Sequence, residues 1–197
     1  MLTLYHAPRS RSSRIVWLLE EIGAPYQIET VSIRRGDGSG ARDPRNPHPD
    51  GKVPALVHDG RLVTESAAIC LHLSDAFPAA KLGPPIGDPQ RGDYLGWLFW
   101  YAGVVEPVVV SHWKGATKTD PAEATAYEQM CARLRGALER GPYLLGDAFS
   151  TADVLVASVF QWGRQLMPAG ALFDDYVARL AARPAFQRAA AEDGEPG

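Results

Sequence analysis

Three arginines and three serines occupy six consecutive positions near the N-terminus, namely Arg9, Ser10, Arg11, Ser12, Ser13 and Arg14. The apolar residues that follow recur at helical spacing, so these side chains lie at the start of a predicted helix. A helix N-terminus carries about +0.5 elementary charge and favours acidic neighbours over basic ones. The cations therefore indicate an anion site, where backbone N–H groups and guanidinium groups act together. The alternative is that each arginine extends into solvent and is screened by salt.

The serine hydroxyls at this turn have two interpretations. Serine is a preferred N-cap, so one of them is expected to cap the helix and stabilise it by about 1 kcal/mol. A hydroxyl at a helix N-terminus can also donate a hydrogen bond to a thiolate or an oxyanion. A Ser-His-Asp hydrolase is disfavoured, because the sequence lacks a G-x-S-x-G motif and His6 is too close in sequence to act as the base without special geometry.

Two residue pairs are suited to a peptide-like ligand. Glu65 and Ser66 precede a predicted helix, where a hydroxyl and backbone N–H groups suit a carboxylate and a glutamate suits an ammonium group. The pair matches the head of an α-amino acid, although an ordinary cap explains it equally well. Val53 and Pro54 begin a predicted strand, so their backbone is available to an extended peptide. Residue physics alone leaves the Val53–Pro54 bond trans, since only about 5–6% of X–Pro bonds are cis.

Two further features are better explained by structure than by chemistry. Ser150 and Asp153 form a capping-box pattern, which accounts for this acid without a catalytic role. Aromatic residues in the second half repeat at helical spacing, which indicates a core, with one or two lining an apolar pocket as the alternative. These aromatic residues are Trp97, Trp100, Tyr101 and Trp113.

The elements that must position these residues change type near residue 80. The first part contains strands over 2–5 and 26–33, a helix from Ser13 to Gly23, a loop over 34–51, and a hairpin followed by a helix from Glu65. The proline- and glycine-rich residues 77–89 predict a domain boundary. Helical segments follow over 94–108, 122–138 and 151–166. The residues from Ala191 onward are predicted to form a frayed tail.

The 197-residue chain has an ordinary globular composition, with 46% hydrophobic residues, 22% charged residues and a net charge of −3. This balance gives no electrostatic drive towards nucleic acid. Cys70 and Cys131 belong to no Cys/His cluster, so neither a metal site nor a disulfide framework is indicated. The N-terminus lacks a basic region followed by an apolar stretch, which predicts a soluble cytoplasmic protein without a membrane partner.

Four motifs in combination resemble the cytosolic glutathione transferase family, with bacterial, serine-type and theta-like features. They are Leu4-Tyr5 with Ser10 and Arg14, residues 51–56, residues 65–69 and residues 149–153. The resemblance implies an α/β thioredoxin-like N-terminal domain over 1–78, a linker over 79–88 and an all-α helical-bundle domain over 89–197. It also implies a homodimer, paired through the helix after Glu65 and the aromatic-rich helix after Asp88.

The resemblance assigns residues to the co-substrate glutathione. Val53 takes the position whose main chain pairs with the cysteinyl part, and Pro54 takes that of the family's cis-proline. Glu65 and Ser66 match the pair that binds the γ-glutamyl end. The glycine carboxylate has two candidate partners, Lys52 and His48.

Catalytic roles follow from the same resemblance. Ser10 falls where the serine-type classes have the hydroxyl that activates the thiol, while Tyr5 aligns with the tyrosine-type position and Ser12 is an alternative. Arg11 stands where the cysteine-type class has its cysteine, which excludes a mixed disulfide there; it is assigned to glutathione binding instead. A pocket for the second substrate is assigned to Pro8, Arg9, Tyr101 and Val105.

The implied activity is a transferase that activates the glutathione thiol for attack on a small hydrophobic electrophile, with thiol-dependent peroxide reduction as a related reaction. A glutathione-dependent isomerase or dehalogenase would use the same site. The alternative from another class is a non-catalytic interaction module with this fold. No metal and no nucleic-acid partner are expected.

Overall fold

The chain divides into two compact units, and the computed structural model describes residues 1–193. The first unit comprises Met1–Ala80 together with the chain from Arg183 onward, and the second is Lys81–Ala182. The division after Ala80 falls inside the predicted linker over 79–88. The residues from Arg183 onward, however, belong to the first unit rather than to the helical domain predicted for them.

The first unit is built on a four-stranded sheet in the order β2-β1-β3-β4. Its strands are β1 (Leu2–His6), β2 (Tyr26–Thr30), β3 (Ala55–His58) and β4 (Arg61–Thr64). Strand β1 pairs parallel with β2 and antiparallel with β3, which itself pairs antiparallel with β4. Helix α1 (Ser13–Ile22) connects β1 to β2, and α2 (Ser66–Ala76) follows β4. This βαβ–ββα order confirms the predicted thioredoxin-like domain.

Local sequence signals account for most boundaries in this unit. Gly23 ends α1 in the left-handed region, with φ 70°, and its N–H donates to the carbonyl of Leu19. Asp59 and Gly60 both have positive φ, 47° and 77°, as a two-residue hairpin turn between β3 and β4 requires. Strand β2 ends at Thr30, three residues before its predicted end at residue 33.

Helix α8 (Pro184–Glu192) packs against α1, although the sequence analysis predicted no element there. The Trp17 and Phe186 rings meet edge to face with centroids 5.1 Å apart. Arg183 donates to both carboxylate oxygens of Glu21, at 2.6 and 2.8 Å. The predicted tail from Ala191 is therefore wrong for residues 191 and 192, which are helical; residues 194–197 lie outside the described part of the chain.

The second unit consists of helices, which confirms the predicted all-α domain. They are α3 (Arg91–Trp100), α4 (Glu106–Trp113), α5 (Pro121–Leu138), α6 (Thr151–Trp162) and α7 (Ala171–Ala181). A π-helical segment, Tyr101–Val105, joins α3 to α4, and Pro107 lies in the first turn of α4. Proline has no N–H to donate to the carbonyl four residues earlier, and that residue, Gly103, lies within the π-helical segment.

The predicted capping box begins α6. Ser150 accepts from the Ala152 N–H at 3.3 Å, and Asp153 accepts from the Ser150 N–H at 2.9 Å. Asp153 also accepts from Tyr176 and from the Leu144 N–H. These bonds occupy the carboxylate, so its role is structural.

Within residues 1–193, one helical stretch, Arg91–Trp113, is long and apolar enough to cross a membrane. Helices in the cores of soluble proteins meet the same criterion, so this finding carries little weight.

Candidate functional site

In the turn between β1 and α1, the basic and hydroxyl side chains that are adjacent in sequence differ in how deeply they are buried. Arg14 is buried, whereas Arg9 and Arg11 are exposed, so the three arginines do not form one exposed cationic cluster. Ser10 is half-buried and Ser12 is completely buried. Of the hydroxyls of Ser10 and Ser12, that of Ser10 is therefore the one accessible to a ligand.

The hydroxyls of Ser10 and Ser12 are linked to a histidine. Oγ of Ser10 lies 2.8 Å from Oγ of Ser12, which lies 2.8 Å from Nδ1 of His6. Ser12 occupies the N-cap position of α1, yet its side chain makes no capping bond. The expected capping bond is thus absent at Ser12, because this hydroxyl turns inward to His6. The Ser10 Oγ instead accepts from the Ser12 N–H at 3.1 Å.

His6 faces the C-terminal segment on its other side. Its ring is buried, with 2% of the residue exposed, and Nε2 lies 3.2 Å from Oδ1 of Asp193. The Arg9 N–H donates to Oδ2 of the same carboxylate at 3.3 Å. Burial lowers the pKa of His6, and the nearby charges of Asp193 and Glu192 oppose that effect. Burial is the larger influence, so the pKa lies below its usual value and the neutral ring is favoured.

Tyr5 lies outside this group of hydroxyls. Side chains alternate along β1, so Tyr5 points to the face opposite Leu4 and His6. Its ring packs against the small apolar cluster of Ala7, Val31 and Val53.

Val53 and Pro54 immediately precede the first paired residue of β3, Ala55. The peptide bond between them is cis. The family resemblance predicts this isomer, whereas the low frequency of cis X–Pro bonds alone predicts the trans isomer. Both residues are buried.

Glu65 and Ser66 stand where β4 gives way to α2. Glu65 is exposed and has φ 68°, an uncommon conformation for a residue with a side chain. Its carboxylate makes no capping bond to α2, so the ordinary cap interpretation does not hold for it. A non-glycine residue held at positive φ is a recurrent feature of ligand sites.

His48 and Lys52 differ in how available they are. His48 is buried, and its Nδ1 accepts from the Asp50 N–H at 3.0 Å. Lys52 is exposed, and its Nζ lies 3.5 Å from Asp50. The Lys52 carbonyl accepts from the side chain of Asn46 at 2.9 Å, which braces this loop. Lys52 is therefore the more accessible of these two residues for a carboxylate.

The residues assigned to a second-substrate pocket belong to different units. Pro8 and Arg9 lie in the first, and Tyr101 and Val105 lie in the π-helical segment of the second. Tyr101 and Val105 are buried, with 1% and 0% exposure. Their assignment to a pocket remains a prediction.

Asp193 is the site residue that sequence reasoning missed. Its position follows from the packing of α8 on α1. The sequence signal that could have predicted α8 is Pro184 followed by a short alanine-rich segment. His6 was discounted for its closeness to the serines, but the turn over residues 7–12 folds the chain back onto it. Within residues 1–193, no group of three or more His, Cys, Asp or Glu side chains could hold a metal ion.

Comparisons with known proteins identify the family and the fold. The family models for the glutathione S-transferase N-terminal and C-terminal domains match residues 9–76 and 104–184. The disulfide-bond oxidoreductase YfcG of Escherichia coli is 30% identical over 84% of this chain and 82% of its own. Glutathione S-transferase 3 of Schizosaccharomyces pombe is 45% identical, but this match spans 43% of the chain and only 32% of that protein.

A solved structure extends the likeness to nearly the whole chain. A sphingomonad glutathione S-transferase in complex with glutathione superposes with a TM-score of 0.81 at 27% identity, covering 98% of this chain and 100% of that one.

Proposed function

The chain belongs to the glutathione S-transferase family and is a glutathione transferase, and from this premise we propose that Ser10 activates the glutathione thiol for attack on a small hydrophobic electrophile. The observation that carries the assignment is the difference in exposure between two neighbouring hydroxyls. Ser10 is half-buried at the N-terminus of α1, whereas Ser12 is 0% exposed and bonded to His6. Tyr5 packs against an apolar cluster instead.

One hydroxyl at a helix N-terminus can supply the free energy that is needed to lower the thiol pKa. A thiol of pKa about 8.5 is only a few per cent ionised at neutral pH, and lowering that pKa by about two units requires roughly 2.7 kcal/mol. A hydrogen bond to an anion contributes about 1.5–3 kcal/mol, and a helix N-terminus adds about 0.3–1 kcal/mol.

Glutathione would be held by the residues that surround this turn. The exposed Glu65 carboxylate accepts from the γ-glutamyl ammonium group, and the start of α2 at Ser66 receives the neighbouring carboxylate. The main chain of Val53 pairs with the cysteinyl part. Lys52 binds the glycine carboxylate, and Arg11 adds positive charge near the thiol.

The chemistry would run through the bound thiol rather than through a protein cysteine. Cys70 is completely buried, and burial raises its pKa to about 12. Burial also raises the pKa of Cys131. A thiol with a raised pKa is a poor nucleophile at neutral pH. Peroxide reduction, isomerisation or dehalogenation would use the same glutathione thiolate.

Retention on immobilised glutathione, together with conjugation of 1-chloro-2,4-dinitrobenzene, tests the proposal. We expect both, because the proposal assigns a residue of this chain to each binding and activating role. A protein that neither binds the resin nor conjugates this electrophile, peroxides or haloalkanes would instead be an interaction module.

A further inference from the structure

We propose that His6 and Asp193 complete a proton relay behind Ser10, in which the thiol proton of glutathione passes through the hydroxyls of Ser10 and Ser12 to Nδ1 of His6. This inference rests on the function proposed above and adds to it the destination of the proton. His6 is the terminal base of the relay, and Asp193 is a positioning residue.

The tautomer of His6 follows from its two neighbours. Nε2 of His6 and Oδ1 of Asp193 are buried and lie 3.2 Å apart, and neither atom makes a hydrogen bond within residues 1–193, so the contact between them is electrostatic. A carboxylate can only accept, so Nε2 carries the proton and Nδ1 is left as an acceptor. The carboxylate is itself held in place by the Arg9 N–H. A carboxylate that fixes the tautomer of a neighbouring histidine in this way is a recurrent arrangement.

The number of hydroxyl protons then determines the direction of the hydrogen bonds along the relay. Each serine has one proton to donate. Ser12 donates to Nδ1 of His6 at 2.8 Å, with the Ala7 carbonyl at 3.3 Å as its longer alternative. Ser10 donates to Ser12 at 2.8 Å. In this state Ser10 has no proton left for a sulfur atom and can only accept one.

Proton transfer exchanges the donor and the acceptor in every hydrogen bond of the relay. The thiol S–H bond breaks as its proton reaches the Ser10 hydroxyl, Ser10 passes its own proton to Ser12, and Ser12 passes its proton to Nδ1. Both serines end as neutral hydroxyls, one N–H bond has formed, and no electron is gained or lost. The imidazolium now donates to Ser12, Ser12 donates to Ser10, and Ser10 donates to the thiolate. Asp193 and Glu192 are the acidic groups that favour the charged ring.

The arrangement suits proton transfer and not acyl transfer. A nucleophilic serine must be accessible and must contact its base directly. Here the serine that contacts His6 is fully buried, and the accessible one is a hydroxyl further away.

The decisive experiment measures two quantities when glutathione binds at neutral pH. The amount of thiolate formed is measured by its ultraviolet absorbance. The amount of protons released to solvent is measured with an indicator dye in weak buffer. In the wild type, thiolate formed exceeds protons released, because His6 retains the proton. In His6→Asn the two quantities should be equal. Equality in the wild type would overturn the relay.

Kinetics provide the second readout. We expect His6→Asn to lower kcat/KM about tenfold at neutral pH, equivalent to raising the apparent thiol pKa by about one unit, with the defect disappearing at high pH. Asp193→Asn, at a partly exposed position, is expected to shift the profile in the same direction without loss of folding. His72→Asn and the exposed Asp175→Asn are the matched controls.

Double substitution separates the relay from the function on which it rests. If the groups act in series, Ser10→Ala with His6→Asn is no slower than Ser10→Ala alone. Multiplying defects would contradict the relay. Failure of the wild type to bind glutathione or ionise its thiol would refute the proposed function itself. If the wild type, Asp193→Asn and His6→Asn all ionise the bound thiol to the same extent, only the relay is refuted.

Discussion

At the scale of single residues, the turn after β1 shows how two serines that are close in sequence acquire different environments. Ser12 is buried against His6, and Ser10 is left half-buried at the start of α1. Substitution at each position should therefore have a different effect.

Replacing Ser10 with alanine should lower turnover about 10–100-fold at neutral pH and leave glutathione affinity nearly unchanged, because a hydrogen bond of about 1.5–3 kcal/mol to an anion is lost. The defect should shrink at high pH, where the thiol ionises without help. Steady-state kinetics across pH measure this, with Thr125→Ala, at an exposed hydroxyl on α5, as the control. If Ser10→Ala is silent and Tyr5→Phe produces the shift, the chain belongs with the tyrosine-type enzymes.

Glu65→Gln should weaken glutathione binding about tenfold or more, since the neutral amide loses a charge-assisted bond to the ammonium group. Calorimetric titration with glutathione checks this. The exposed Glu139→Gln serves as the control, and the same titration with a glutathione analogue lacking the amino group should show no difference between Glu65→Gln and wild type. Equal loss with both ligands would place Glu65 elsewhere in the site.

At the scale of elements, prediction succeeds where the signal is local. The Asp59-Gly60 turn, the Gly23 cap and the capping box at α6 each depend on a few adjacent residues, and each is present in the structure. Helix α8 was missed because its stability comes from contacts of Phe186 and Arg183 with α1, which lies far away in sequence. For the same reason, no sequence pattern pairs His6 with Asp193.

The capping box of α6 carries a pH dependence. Burial raises the pKa of Asp153 from 3.8 to about 6, so between these values the folded state binds more protons than the unfolded state. The free energy of unfolding contributed by this group must then fall as the pH rises through that window. Urea unfolding at a series of pH values should show this slope in the wild type and in Asp175→Asn, but not in Asp153→Asn. Parallel wild-type and Asp153→Asn curves would contradict the assignment.

At the scale of the whole molecule, we propose a homodimer, as the family resemblance implies. Phe99, on α3, is 67% exposed, so its ring is available to a partner surface. Sedimentation at micromolar concentration should give twice the chain mass of 21.4 kDa. Phe99→Glu should shift the protein towards the monomer, whereas Trp162→Glu, at a side chain 48% exposed on α6, should not. A wild type that sediments as a single chain would exclude this proposal.

The division into units also fixes the order in which the site is built during translation. The first unit is discontinuous in sequence, since the whole of Lys81–Ala182 separates its strands from α8. A ribosome therefore releases β1, α1 and their serines long before it makes the segment that covers them. Until then the α8-binding side of Trp17 stays uncovered and His6 has no acidic neighbour from the C-terminal segment. The relay proposed above is thus incomplete until the ribosome has made the segment that carries Asp193.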